Sequence, residues 1–116
     1  MNQNHIVVVI SLEPPPDERP VPLSQDGLTT SLIQVVKNGD LLSFVSPHGP
    51  VLVQFKGKSP FEAGGDGGGT PRKIAATPGD FPYHCGVTVL SKDGKTATVK
   101  GWPKSDQGGG TVKVDI

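Results

Sequence analysis

The sequence predicts a single all-β domain in which two antiparallel sheets pack face to face. Its apolar residues are gathered into short, β-branched runs, and 16 glycines and 12 prolines punctuate the chain, mostly between those runs. No segment shows the sustained 3.6-residue apolar period of an amphipathic helix. The 116 residues leave room for one domain, spanning 1–116, that buries a core without a disulfide or structural metal.

About eight runs qualify as strands, and the pattern of each one supports that prediction. The first is continuously apolar, as expected of a strand covered on both sides, whereas Val51, Val53 and Phe55 alternate and fall on one face. The predicted strands are residues 5–12, 28–37, 41–46, 51–56, 72–77, 83–91, 96–102 and 111–116.

The connections between these runs carry the residues that turns require. Asn38-Gly39 is a strong turn signal, and Asp93-Gly94 marks a hairpin. Residues 13–22 contain five prolines and predict an extended connection, and the glycine-rich stretch 57–71 predicts a flexible excursion. Residues 78–82, Pro-Gly-Asp-Phe-Pro, predict a further loop.

Composition argues against several classes of function. Eleven basic and eleven acidic residues cancel, and aromatic residues make up only 5%, so neither a nucleic-acid surface nor a polybasic membrane patch is expected. The apolar run after His5 lacks a positive segment before it and is too short for a signal peptide or membrane insertion. A periplasmic or secreted location stays open if a leader has been removed.

Two motifs carry a family resemblance. Asn38-Gly39-Asp40-Leu41-Leu42-Ser43-Phe44 resembles a strand that opens with Gly-Asp and places an aromatic residue four positions after the Asp. Pro78-Gly79-Asp80-Phe81-Pro82-Tyr83-His84-Cys85 resembles a Pro-Gly turn, alternating aromatics and a copper-ligand cysteine. Both are similar to the cupredoxin (plastocyanin/azurin-type) family, and the resemblance covers residues 28–116. It implies a Greek-key β-sandwich of about eight strands.

The resemblance is weaker for the metal than for the fold. A blue-copper centre uses two histidines, a cysteine and usually a weak axial methionine. Cys85 stands at the cysteine position, but residues 86–91 read Gly-Val-Thr-Val-Leu-Ser, and the chain's methionine is Met1. The first histidine position falls on Val51, three residues after His48. No cofactor is therefore expected, and an unusual copper site using Cys85, His48 and His84 is kept as the alternative.

Strand alternation predicts that the adjacent candidate ligands His84 and Cys85 lie on opposite faces of their strand. Tyr83, Cys85 and Val87 share one face of a regular strand and His84 takes the other. We therefore predict that His84 lies at the surface and that Cys85 is a neutral core thiol, since a catalytic thiolate needs a neighbouring base or positive charge. Trp102 is predicted either to be an exposed contact for a partner or sugar, or to cap the core.

These observations favour a non-enzymatic binding or assembly module on a cupredoxin-like scaffold. Exposed sheet edges are the expected contact, with a protein partner or a second copy of the chain. A copper-binding or electron-transfer protein with an unusual site is the alternative. An enzyme is not predicted, since nothing beyond one cysteine supports it.

Overall fold

The described part of the chain is all-β, as the sequence predicts. The computed structural model describes residues 4–12, 20–22, 33–104 and 108–115, which form strands and turns without a helix. None of these residues forms a helix that could cross a membrane. The strands are β1 (His5–Leu12), β2 (Pro20–Pro22), β3 (Ile33–Lys37), β4 (Leu41–Val45), β5 (Val51–Phe55), β6 (Gly67–Gly68), β7 (Arg72–Lys73), β8 (Gly79–Leu90), β9 (Ala97–Gly101) and β10 (Gly109–Asp115).

The strands form two sheets, and both sheets are mixed rather than purely antiparallel. The first has the order β2-β1-β4-β7, and β1 runs parallel to β4. The second has the order β3-β10-β8-β5-β6, with β9 also on β8, and β3 runs parallel to β10. Parallel neighbours cannot be joined by a tight turn. The chain therefore passes through the other sheet before the second strand of each parallel pair is formed. Local turn signals do not predict this pairing of distant strands.

The loop predicted at residues 78–82 is wrong beyond Pro78, because β8 begins at Gly79 and pairs with β10 from there. A proline is tolerated in a strand where its missing N–H faces away from the neighbouring strand. The Pro82 carbonyl accepts the Lys56 N–H at 2.9 Å, on the side of β8 away from β10. Nitrogen and carbonyl of one residue share a side in an antiparallel ladder, so Pro82 removes no bond to β10.

Other boundaries shift at the ends of elements. The strand predicted at 72–77 is reduced to two residues, and β10 starts at Gly109, two residues before the predicted strand. The structure adds β2 and β6 within stretches predicted as connections. Residues 13–19, 28–32 and 116 of the predicted elements lie outside the described residues.

A continuous apolar core fills the space between the sheets. Phe44 and Tyr83 come from opposite sheets and meet edge-to-face with ring centroids 5.3 Å apart. An alanine Cβ at Gly67 would lie 3.0 Å from the Phe44 ring, so a larger residue on this short strand would require the ring to shift. The buried apolar residues are Val8, Ile10, Val36, Leu42, Phe44, Val53, Phe55, Phe61, Ile74, Tyr83, Cys85, Val87, Val112 and Val114.

Candidate functional site

The second sheet is interrupted where Cys85 lies. Strands β10 and β9 pair with the same edge of β8, β10 with residues 79–84 and β9 with residues 86–90. The chain leaves β9 at Gly101 and rejoins the sheet at Gly109. We call Cys85, Gly101, Trp102 and Gly108 the sheet break.

Backbone hydrogen bonds tie both ends of this excursion to one residue. The Trp102 N–H donates to the Cys85 carbonyl at 3.1 Å, and the Cys85 N–H donates to the Gly108 carbonyl at 3.4 Å. The interruption therefore leaves no unpaired backbone group at Cys85, as a buried position requires.

Glycine is required at the flanks of the sheet break. Gly101 and Gly108 have φ angles of 83° and 95°, in the region that favours glycine. An added Cβ would lie 2.5 Å from the Cys85 carbonyl oxygen at Gly101, and 2.4 Å from the Pro20 carbonyl oxygen at Gly108. The short strand β2 packs against the break through this glycine-lined contact.

The Cys85 thiol is fully enclosed. Its side chain is 0% exposed, and Sγ donates to the Pro20 carbonyl at 3.6 Å. Burial raises the thiol pKa from its ordinary 9.0 to about 12. At neutral pH the group is a protonated thiol, not the thiolate that acts as a nucleophile or metal ligand.

His84 faces the opposite side of β8 and stacks on Trp102. Their rings are nearly parallel, with 9° between the planes and centroids 4.5 Å apart. Both residues are half-buried, and His84 Nδ1 is buried without a hydrogen-bond partner. The sequence prediction placed His84 on the correct face but missed this contact. The positive φ of Gly101 turns Trp102 out of strand alternation, and the glycine directly before Trp102 is the sequence signal that could have indicated it.

The structure does not bring His48 to Cys85. His48 is exposed in the turn before β5, and its N–H donates to Ser46 Oγ at 3.1 Å. Cys85 lies opposite Val53, five residues further along the chain, and Gly49, which follows His48, lies against the backbone of Thr88 rather than of Cys85. Within the described residues, no group of three or more His, Cys, Asp or Glu side chains could hold a metal ion.

Strand β9 forms an edge of the second sheet. Among the described residues it pairs with β8 alone, in a register that places Thr98 opposite Val89. In an antiparallel pair, hydrogen-bonded and non-hydrogen-bonded residue pairs alternate along the strands. The Trp102 N–H bond to the Cys85 carbonyl and the Ser91 N–H bond to the Thr96 carbonyl show that Trp102 and Thr96 belong to hydrogen-bonded pairs with β8. Thr98 therefore points its backbone groups towards β8, whereas Ala97 and Val99 direct theirs outward.

Apolar side chains are exposed on the outer faces of both sheets. Leu90, which precedes the turn into β9, is 60% exposed. The other large apolar residues exposed among the described part are Val7, Ile33, Val35, Val45 and Leu52.

No family model, curated protein or solved structure matches this chain.

Proposed function

We propose that this protein is a non-enzymatic binding or assembly module on a cupredoxin-like, Greek-key scaffold that lacks the ordinary blue-copper ligand set. Support for the scaffold comes from the way the chain crosses between sheets. Strands β4 and β7 belong to the first sheet, and β5 and β8 to the second. Crossings between the sheets precede both parallel pairings, since β3 of the second sheet lies between β1 and β4 in the chain, and β4 and β7 of the first sheet lie between β3 and β10.

The observation that carries the proposal is the outward-facing backbone of β9. An edge strand presents N–H and C=O groups that another extended chain can satisfy by adding a strand. The backbone N–H and C=O groups of Ala97 and Val99 point outward, away from β8. The exposed Leu90 at the neighbouring turn adds apolar surface that a docked strand can cover.

The enclosed thiol supports a non-enzymatic role. A nucleophilic cysteine needs exposure and a lowered pKa, whereas Cys85 has neither. Its position is explained by packing against Pro20 at the sheet break.

A proline at the edge tests this role. Val99→Pro removes an outward N–H and leaves the bonds from β9 to β8 in place, because Val99 does not donate to β8. Val99→Thr is the matched control, since it keeps both the N–H and β-branching. We expect sedimentation equilibrium to show self-association of the unmodified protein, weakened about tenfold or more in Val99→Pro, from the loss of a hydrogen bond and a steric block.

The partner can instead be a different chain, so pull-downs from the source with both variants accompany the sedimentation. Circular dichroism confirms that each variant keeps its β-structure. A protein that stays monomeric at every concentration and captures no partner through Val99 would contradict the proposal.

A further inference from the structure

A second surface feature lies at the end of the sandwich away from β9. The chain after β5 (residues 56–58) and the segment around the start of β8 (residues 77–82) line a cavity of about 470 Å³. The Lys56 N–H bond to the Pro82 carbonyl joins the two lining segments. We call these nine lining residues the basic cleft.

The chemistry of the basic cleft is apolar with an excess of positive charge. Pro78, Pro82 and the half-buried Phe81 supply apolar surface. Lys56 and Lys58 line the cavity together with one acidic residue, Asp80. Within the described part of the chain, neither lysine ammonium forms an ion pair, so both remain available to an anion in an otherwise charge-balanced protein.

The size of the cleft favours a small ligand over a bound strand. Its volume lies in the range of small-molecule sites, about 300–1,000 Å³. The lining stretch after β5, residues 56–58, is only three residues long. An extended peptide would contact the cleft through about one side chain.

From the lysine pair beside the apolar wall we infer that the basic cleft binds a small organic acid with an apolar body and one carboxylate. The body packs on Phe81 and the prolines, and the carboxylate accepts hydrogen bonds from Lys56 and Lys58. The inference is independent of the β9 edge, so either can fail without the other.

The test is a ¹H–¹⁵N NMR titration with 3-phenylpropionate as the probe. We expect saturable shifts confined to the amides of residues 56–58, Thr77 and 79–81, with a dissociation constant on the order of millimolar, as weak ligands of this size give. Acetate, which lacks the body, and 3-phenyl-1-propanol, which lacks the charge, should each bind more weakly.

Two charge-matched double variants test whether Lys56 and Lys58 bind the carboxylate of 3-phenylpropionate. Lys56→Gln/Lys58→Gln should weaken 3-phenylpropionate binding about two- to tenfold, the range for two exposed charge contacts, and leave the alcohol unaffected. Lys92→Gln/Lys95→Gln makes the same charge change in the β8–β9 turn and should leave binding of the acid unchanged.

Three results would overturn the inference. One is the absence of saturable shifts in the basic cleft. Another is equal weakening by the two lysine pairs, which would indicate only a general charge effect. The third is binding of the peptide N-acetyl-Phe-Asp-amide tenfold or more tighter than the probe, which would assign the cleft to a protein segment.

Discussion

Cys85 shows how one position can fit a family motif and still have a different environment. Strand alternation turns its side chain into the core, and the Pro20 carbonyl accepts the thiol hydrogen there. His84 stacks on Trp102 on the other face, and His48 lies in a distant exposed turn. A copper site using these three residues would require β8 or the sheet break to rearrange.

We therefore expect an anaerobic copper titration to give no stoichiometric thiolate-to-copper absorption. The physical reason is that the thiol is protonated and enclosed at neutral pH. Visible absorption and electron paramagnetic resonance measure the result, with Cys85→Ser as the control. A stoichiometric sulfur signal that disappears in Cys85→Ser or a His48 variant would revive the copper hypothesis.

Gly86 is a second residue whose role is set by close approach. An alanine Cβ there would lie 1.8 Å from the Trp102 carbonyl oxygen, so β8 and the excursion would have to separate. We expect Gly86→Ala to lower the free energy of unfolding by about 1–3 kcal/mol or more, the cost of overpacking, measured by urea denaturation.

Gly57→Ala is the matched control, because nothing lies within 4 Å of its added Cβ and its φ is not positive. It should change the free energy of unfolding by less than about 0.5 kcal/mol. Equal effects of the two substitutions would show that the contact with Trp102 is not tight.

At the scale of elements, β8 organises the second sheet. Its 12 residues pair with β5 on one side and with β10 and then β9 on the other. The β8–β9 hairpin extends beyond this shared region, and its turn is held by Asp93. The Asp93 carboxylate accepts hydrogen bonds from the Ser91 hydroxyl and, at 3.0 Å, from the Lys95 N–H.

The hairpin should therefore loosen in acid. The hydrogen bond from Ser91, followed by that from Lys95, lowers the pKa of Asp93 below its ordinary 3.8. A lowered pKa stabilises the fold above the unfolded-state value, and this contribution is lost as pH falls through the folded-state value. We expect the hydrogen-exchange protection of β9 amides, relative to their intrinsic exchange rates, to fall more than that of β10 amides as the pH drops below about 3.8, measured by NMR.

Asp93→Asn removes the titrating charge and should abolish the pH dependence specific to β9. The amides of β10, which pair with the far half of β8, are the internal control. An unchanged acid response in Asp93→Asn would assign the effect to another group.

At the scale of the molecule, two ionisable groups lie in the shared core. Burial raises the pKa of Cys85 from 9.0 to about 12, and burial followed by proximity to Cys85 raises that of Tyr83 above its ordinary 10.0. Above these ordinary values the unfolded chain loses protons that the folded protein retains. Stability contributed by each group is thus present below its unfolded-state pKa and is lost as pH rises towards the folded-state value.

We expect the free energy of unfolding to fall above about pH 9, by up to about 1.4 kcal/mol per pH unit from Cys85 alone. Urea denaturation at a series of alkaline pH values measures the slope. Cys85→Ala should make the slope shallower between about pH 9 and 10, before Tyr83 adds its part. The same slope in both proteins would contradict the enclosed thiol.

The sequence determined the fold class, because strand periodicity and turn residues are local properties. Residues 5–12 form β1 as predicted, and glycines with positive φ occupy the turns at Gly39 and Gly94. The same alternation placed Tyr83, Cys85 and Val87 on the buried face and His84 on the other.

Only the tertiary structure decided the features that depend on distant segments. The pairing of β1 with β4 and of β3 with β10, the strand character of Pro82, and the contact between Trp102 and His84 all join residues that local patterns do not connect. The basic cleft likewise combines two separate stretches of chain. Such contacts are set by how the two sheets bury a common core, and that is a property of the whole chain rather than of any one run of residues.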